Sequence, residues 1–119
     1  MERRGQKYHR ERLGEALREE IETIVEGELG DPRIGLVSVS QVTLAEDARS
    51  ARVLVAVHGD DAEARRTMQG LTAAIGFIRH EIGERLHLRH PPELFFYLDR
   101  SEQYEARVDE LLKRVKKSG

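Results

Sequence analysis

The chain has 119 residues, a formal net charge of −2 and no cysteine. This length suits one domain with a modest core that needs neither a disulfide nor a metal to fold. The lack of cysteine excludes thiol nucleophiles and thiolate zinc sites, and it favours a reducing, cytoplasmic location. The charged start MERRGQKYHRER indicates no secretory signal, and no apolar stretch approaches the roughly 20 residues that span a bilayer. We therefore expect no membrane partner.

The charges are distributed unevenly along the chain. Residues 1–12 carry five basic side chains and two acids, whereas residues 15–31 carry seven acids and one base. The far end is basic again, at Lys113, Arg114, Lys116 and Lys117. Such asymmetry fits a basic surface for a polyanion with an acidic face turned away from it, but ordinary solvated helix faces are the simpler explanation.

The first predicted element is a helix from about residue 9 to residue 29. Its apolar residues recur at helical spacing, at Leu13, Leu17, Ile21, Ile24 and Val25. The other side of this helix is acidic, as a surface helix requires. Gly30 supplies a stop signal and Pro32 cannot continue the hydrogen-bond ladder, so the helix ends there.

Two strands are predicted next, over residues 36–44 and 50–57. Both are rich in β-branched residues, and the short turn AEDAR between them implies an antiparallel hairpin. The alternation of apolar and polar residues slips between Val39 and Val42. This slip predicts a bulge near Gln41.

A long helix is predicted after the break at Gly59-Asp60-Asp61. Its apolar residues recur at steps of three and four from Ala64 to Leu86. A straight helix of this length, about 40 Å at 1.5 Å per residue, is too long to pack flat on a sheet of short strands. Glycine costs about 1 kcal/mol relative to alanine inside a helix. We therefore expect the helix to bend at Gly76.

The segment ELFFYLD, residues 93–99, predicts a third strand, and a last helix begins near Glu102. The long helix makes a right-handed crossover, so the second and third strands should be parallel. Residues 1–119 are thus predicted to form a single α+β domain of order α-β-β-α(kinked)-β-α, with helices packed on a three-stranded mixed sheet. The basic ends, at about residues 1–8 and 114–119, are candidates for disorder.

Catalytic and cofactor motifs are absent from the sequence. No glycine-rich phosphate loop follows a strand, and no serine stands in a nucleophile elbow. HEIGE, residues 80–84, shares two residues with the zinc-binding HExxH helix, but Glu84 stands where the second histidine is required. His80, His87 and His90 are better explained as exposed helix histidines. We expect no enzyme activity, no cofactor and no metal.

Basic residues give better support for nucleic-acid binding, because the arginine fork donates two hydrogen bonds to a phosphate. The candidate RNA contacts are Arg3, Arg4, Lys7, Arg10, Arg79, His80, Arg85, Arg89, Lys113 and Lys116. For the long helix, a solvated face that also carries Glu81 and Glu84 is an equally good explanation. The aromatic residues of the third strand are more often core than base-stacking, so recognition by backbone and shape is favoured.

Several segments, in this order and spacing, resemble the ribosome-binding factor A family, bacterial small-subunit assembly factors with a type II K-homology-like domain. They are Asp31-Pro32-Arg33, the hairpin VSVSQVTLAEDARSARVLVAV, Ala74-Ile75-Gly76-Phe77-Ile78-Arg79, Leu88-Arg89, Pro92-Glu93-Leu94 with Phe96, and Asp99-Arg100-Ser101. The similarity extends from Arg10 to about Leu112. No single motif is decisive, but their combination is specific.

The resemblance implies a non-catalytic monomer that binds the immature small ribosomal subunit through its ribosomal RNA, assists late assembly and RNA processing, and leaves before translation. It also implies that Ala74-Ile75-Gly76 replaces the GxxG loop of other K-homology domains and kinks the helix pair. Phe95 and Glu105 depart from the family pattern, which has a polar or basic residue and commonly glycine at these positions. The alternative function is a protein–protein interaction module of the same α+β type that binds no RNA.

Overall fold

A three-stranded mixed sheet organises the fold. The computed structural model describes the backbone of residues 4–118 and, within that range, all side chains except those of residues 6, 102–104 and 116–118. The elements in chain order are α1 (Arg4–Gly27), β1 (Val37–Leu44), β2 (Ser50–Val57), α2 (Asp61–Ala73), α3 (Ile75–Leu86), β3 (Glu93–Leu98) and α4 (Ser101–Ser118). The predicted α+β class and element order are confirmed, with the long helix divided into α2 and α3.

The sheet has the order β1-β2-β3, with β1 antiparallel and β3 parallel to β2. The register of the hairpin shifts between Val39 and Gln41, which confirms the predicted bulge. The amide of Val39 at this irregular point donates to a carboxylate oxygen of Glu26 on α1 at 3.1 Å. The first helix thereby satisfies a donor on the outer edge of β1.

The core lies between one face of the sheet and the helices α1, α2 and α3. The apolar stripe predicted for the first helix is buried, with Leu17, Ile21 and Ile24 fully inaccessible to solvent. These side chains pack in one cluster with Val53 and Val55 of β2. Burial of each such side chain stabilises the fold by about 1.5–3 kcal/mol relative to leaving it in water.

The other face of the sheet, here called the open face, carries exposed side chains of β3. Phe95 is 46% exposed and Tyr97 is 49% exposed, whereas Leu94 between the sheet and the helices is 3% exposed. The prediction that the aromatic residues of this strand belong to the core is therefore wrong for Phe95 and Tyr97. It fits only Phe96, which is half-buried against the core cluster.

The bend in the long helix lies at Ala74 and not at Gly76. Ala74 has φ −90° and ψ 0°, and it separates the end of α2 from the start of α3. Its N–H still donates to the carbonyl oxygens of Gly70 and Leu71, at 3.1 Å each. The break needs no glycine, because this backbone conformation has a negative φ that alanine adopts without steric conflict. Gly76 lies instead in the first turn of α3.

The bounds of the two terminal helices differ from the predicted ones: α1 ends at Gly27 rather than near residue 29, and α4 continues to Ser118, within the predicted basic end. The first begins at Arg4 rather than near residue 9, and α4 begins at Ser101, whose N–H donates to the Asp99 carboxylate at 2.9 Å. Leu111 and Leu112 of α4 are half exposed, so this side of the helix is not packed against the described core. The described chain extends over 59 × 40 × 17 Å.

Candidate nucleic-acid interface

A loop between α1 and β1 packs directly on α2, beside the break in the helix pair. The buried hydroxyl of Thr67 accepts a hydrogen bond from the N–H of Gly35 at 3.0 Å and donates to the carbonyl of Arg33 at 3.4 Å. A Cβ added at Gly70 would lie 2.6 Å from a side-chain carbon of Ile34. Glycine at position 70 therefore permits the close approach of this loop to α2.

The same loop holds Arg33 in a fixed orientation. Asp31 accepts hydrogen bonds from the Arg33 guanidinium at 2.6 Å and 3.1 Å, and from the Arg33 backbone N–H at 2.9 Å. These hydrogen bonds lower the pKa of Asp31 from 3.8 to about 2. The Arg33 side chain is nevertheless 46% exposed.

An exposed aromatic ring lies on the other side of this loop. Phe77 of α3 is 48% exposed and lines a cleft of about 290 Å³ with Ala74 and the residues from Glu28 to Asp31. Next to it, Gly76 is exposed, and a Cβ added there would meet nothing within 4 Å. The ring thus stands beside a stretch of helix backbone that a partner can approach closely.

A second, smaller cleft of about 160 Å³ adjoins the loop and is lined by Arg33 and Arg66, among others. Arg66 is exposed and has no hydrogen-bond or ion-pair partner among the described residues. We name Arg33, Arg66, Ala74, Gly76 and Phe77 the junction surface. It combines two arginine guanidinium groups, small residues at a helix break and one aromatic ring. Guanidinium groups bind phosphates and aromatic rings stack on bases.

Two of the predicted RNA contacts are occupied by contacts within the protein. Arg79 donates from Nε to the carbonyl of Pro92 at 3.0 Å and from Nη2 to the carbonyl of Pro91 at 2.9 Å. This side chain holds the loop between α3 and β3 against the helix. Nε and Nη2 of Arg79 are therefore engaged within the protein, as Nε and Nη2 of Arg33 are engaged by Asp31.

Arg85 anchors α3 to α1. Its guanidinium donates to both carboxylate oxygens of Glu28 at 2.8 Å, to Glu81 at 3.2 Å and to Glu20 at 3.5 Å. The hydrogen bonds with Glu28 raise the pKa of Arg85 and lower that of Glu28. Three carboxylates surround this cation, so it is a structural ion pair rather than an exposed charge that attracts RNA.

The remaining predicted contacts are distributed over several elements. Arg4, Lys7, His80, Arg89 and Lys113 are exposed or half-buried on the surface, as is Arg10. Arg3 lies outside the described residues, as does the side chain of Lys116. None of the described members lines either cleft beside the helix break. The structure does not bring the predicted residues together into one site.

Gly83, for which the sequence suggested no role, is a packing glycine. A Cβ at this position would lie 3.0 Å from Cγ of Pro91 and 3.3 Å from the carbonyl oxygen of Leu88. His87, in the left-handed conformation with φ 54°, ends α3, and the N–H of Leu88 then bonds to the Gly83 carbonyl at 2.9 Å. Gly83 therefore lets α3 approach the loop that Arg79 holds.

Phe77, Arg33 and Arg66 are not among the RNA contacts that the sequence predicts. One signal was present: Phe77 is apolar but lies off the stripe of Ile75, Ile78 and Ile82, so burial does not account for it. Among the described residues, no group of three or more metal-ligating side chains is positioned to hold a metal ion. No helix in the described range has the length and apolarity to cross a membrane.

The fold first defines a class of protein. It is a type II K-homology-like α+β domain, in which three helices cover one face of a mixed sheet and a broken helix pair exposes its junction. A family model described as Ribosome-binding factor A matches residues 9–112. The chain belongs to the ribosome-binding factor A family.

Curated relatives match over most of their length. A ribosome-binding factor A of Koribacter versatilis is 63% identical over 117 residues, which cover 98% of this chain and 95% of the relative. That of Halothermothrix orenii is 49% identical over 105 residues, covering 88% and 86% of the two chains. The family assignment therefore rests on nearly the whole chain.

Solved structures share the fold. An NMR structure of a Thermotoga maritima protein has a TM-score of 0.61 at 32% identity, covering 80% of this chain and 87% of the other. A crystal structure of ribosome-binding factor A from Thermus thermophilus has a TM-score of 0.59 at 26% identity, covering 81% and 97%. A Thermus thermophilus homology model fitted into a cryo-EM map of a 30S–ribosome-binding factor A complex has a TM-score of 0.57 at 27% identity, covering 77% and 92%.

Proposed function

We propose that this chain is a cytoplasmic, monomeric and non-catalytic factor that binds the immature small ribosomal subunit through its ribosomal RNA and assists late assembly and RNA processing. Membership of the ribosome-binding factor A family supports this proposal. A similar Thermus thermophilus protein has been fitted into the map of a complex with the 30S subunit. RNA binding by this chain is supported by the junction surface, which lies within residues 9–112, the range that the family model matches.

Each part of the junction surface has a role in this proposal. The ring of Phe77 stacks on an unpaired base, and Arg33 and Arg66 donate to phosphates on the two sides of the loop. The small residues Ala74 and Gly76 let the RNA backbone come close to the helix break. Because Asp31 fixes the orientation of Arg33, less side-chain entropy is lost when the phosphate binds.

The surface cations outside the junction surface contribute long-range attraction. Arg4, Lys7, Arg89 and Lys113 attract a polyanion without a fixed geometry, and the exposed His80 offers a ring N–H as a hydrogen-bond donor. Arg10, Arg3, which lies outside the described residues, and Lys116, whose side chain is not described, belong to the same proposal on their charge alone. Arg79 and Arg85 act indirectly, because they position the elements that carry the surface.

Cosedimentation of the purified chain with immature and mature small subunits, over a series of salt concentrations, tests the proposal. Phe77→Ala should weaken binding about fivefold or more, since loss of the ring on which one base stacks costs about 1–3 kcal/mol. Arg66→Gln should weaken binding and reduce the slope of log affinity against log salt by about 0.7–0.9, because one phosphate is no longer neutralised.

Matched controls are available elsewhere on the surface. Tyr8→Ala removes an exposed ring from α1, and Arg107→Gln removes an exposed charge from α4. Both should bind small subunits as the unchanged protein does. Failure of the unchanged protein to sediment with either kind of subunit at low salt would falsify the proposal. Wild-type binding by both Phe77→Ala and Arg66→Gln would remove the junction surface from it.

A further inference from the structure

The open face of the sheet presents two rows of side chains that run across all three strands. Strand register places Thr43 of β1 opposite Arg52 of β2, and Arg52 opposite Phe95 of β3. The second row is Gln41, Leu54 and Tyr97 in the same order. These rows lie on the face that α1, α2 and α3 leave uncovered, so they are separate from the junction surface.

The two rings of the open face are available to a ligand. Phe95 and Tyr97 are 46% and 49% exposed and point to the same side, since they stand two residues apart on one strand. That spacing separates their attachment points by about 7 Å. Among the described residues neither ring stacks on another aromatic ring or lies beneath a cation. Each ring is therefore about half exposed and is engaged by no other ring or cation of the described residues.

Polar groups accompany the rings in both rows. Arg52 is exposed, has no hydrogen-bond or ion-pair partner in the described part of the chain, and is in register with Phe95. Gln41 donates from Nε2 to the Thr43 hydroxyl at 3.3 Å, which leaves the Gln41 carbonyl and a second amide hydrogen for other partners. One cation and one amide thus stand beside two exposed rings.

Acidic residues lie at both ends of β3. Glu93 is exposed at its start, and Asp99 after its end accepts the N–H of Ser101 at 2.9 Å. Hydrogen bonds from Ser101 and Ser40 lower the pKa of Asp99. Within the two rows, Arg52 is the cation in register with the rings, so it is the place in these rows where a phosphate is attracted.

We propose that the open face binds unpaired RNA, with Phe95 and Tyr97 each stacking one base of two neighbouring nucleotides and Arg52 contacting a phosphate. This inference rests on the proposed function, which supplies ribosomal RNA as the ligand. Sheets that bind single-stranded RNA use exposed aromatic side chains in the same way, and stacking tolerates any base because every base has a π-face. Gln41 then hydrogen-bonds a base edge, which gives a modest sequence preference.

Titration of the full chain with the single-stranded pentanucleotide U5, followed by NMR, tests this site. The aromatic resonances of Phe95 and Tyr97 should shift with U5 and not with a longer, fully paired RNA duplex. Phe95→Leu and Tyr97→Leu keep an apolar side chain but remove the ring, and each should weaken U5 binding about fivefold or more. Tyr97→Phe keeps the ring and should bind U5 as the unchanged protein does.

A separate variant tests the role of the Arg52 charge. Arg52→Gln should weaken U5 binding and reduce the slope of log affinity against log salt by about 0.7, the value for one phosphate of a single strand. Thermal unfolding of each variant shows whether it is folded. Since these positions are exposed, we expect folded proteins.

Three results would overturn the inference: absent shifts at Phe95 and Tyr97, U5 binding by the leucine variants equal to that of the unchanged protein, or equal loss with Tyr97→Phe and Tyr97→Leu. Leucine variants that bind small subunits normally and U5 normally indicate that the open face has another occupant, such as α4 or a protein. The proposed function fails separately, when the unchanged chain does not bind small subunits. The two failures are therefore distinguishable.

Discussion

Replacement of Gly76 by leucine should stabilise the protein and weaken its binding to the small subunit. Gly76 is helical and exposed, and a Cβ there would meet nothing within 4 Å, so the fold accommodates a larger side chain. Inside a helix, glycine costs about 1 kcal/mol relative to alanine, and leucine is nearly as favourable as alanine. In the first turn of α3 we expect part of this gain, about 0.5–1 kcal/mol. The melting temperature should then rise by a few degrees.

The effect on binding has the opposite sign. A leucine at position 76 projects beside Phe77 and fills the space through which RNA would approach the helix break, so the affinity for small subunits should fall at least tenfold, a loss of about 1.4 kcal/mol. Thermal unfolding and cosedimentation measure the two effects. Gly14→Leu is the matched control, because Gly14 is also helical with open space around it. It should stabilise the chain without weakening binding.

Two outcomes would refute this reasoning. A lower melting temperature for Gly76→Leu would mean that the break in the helix depends on glycine at that position. Unchanged binding by a stabilised Gly76→Leu variant would mean that the partner does not approach the junction surface there. Because one variant reports on both the fold and the site, the two conclusions can be separated.

Three further predictions concern stability. Arg85→Met should lower the melting temperature, because it leaves the carboxylates of Glu28, Glu81 and Glu20 without their shared cation. Asp31→Asn should destabilise the chain at neutral pH. The pKa of Asp31 is about 2 in the folded protein, below its ordinary value of 3.8, so the stability that the carboxylate contributes is present above pH 3.8 and is lost as the pH falls to about 2. Urea unfolding of both proteins across this pH range checks the prediction. Gly83→Leu should cost about 1–3 kcal/mol by overpacking against Pro91, measured by the same unfolding assay, and a neutral result would contradict the packing role.

The elements of the fold were largely predictable because they depend on local patterns. Helical spacing of apolar residues in α1, the β-branched hairpin and the crossover to β3 each have a direct physical cause in the sequence. The bulge at Gln41 was predictable for the same reason, since a slip in alternation moves side chains to the other face. The start of α1 was not, because charged residues at a helix end carry little periodic signal.

The candidate site was much less predictable. Charge identified Arg79 and Arg85 as RNA contacts, but charge alone does not say whether a cation faces solvent or a carboxylate. Arg85 meets Glu20 of α1 and Glu28 just after its end, both more than fifty residues away in sequence. Only the packing of α1 against α3 brings these groups together. The exposure of Tyr97 depends in the same way on which face of the sheet the helices cover.

The three glycines of the long helix pair show why composition alone could not settle their roles. Gly70 faces Ile34 at a distance that leaves no room for a Cβ, Gly83 faces Pro91 at a distance where a Cβ would be tight, and Gly76 faces solvent. Packing therefore accounts for the first two glycines, and the break itself, at Ala74, requires none of the three. A glycine that neither packing nor backbone conformation demands still carries its cost in helix stability. This open position agrees with the proposal that a partner approaches the bare backbone of Gly76 beside Phe77.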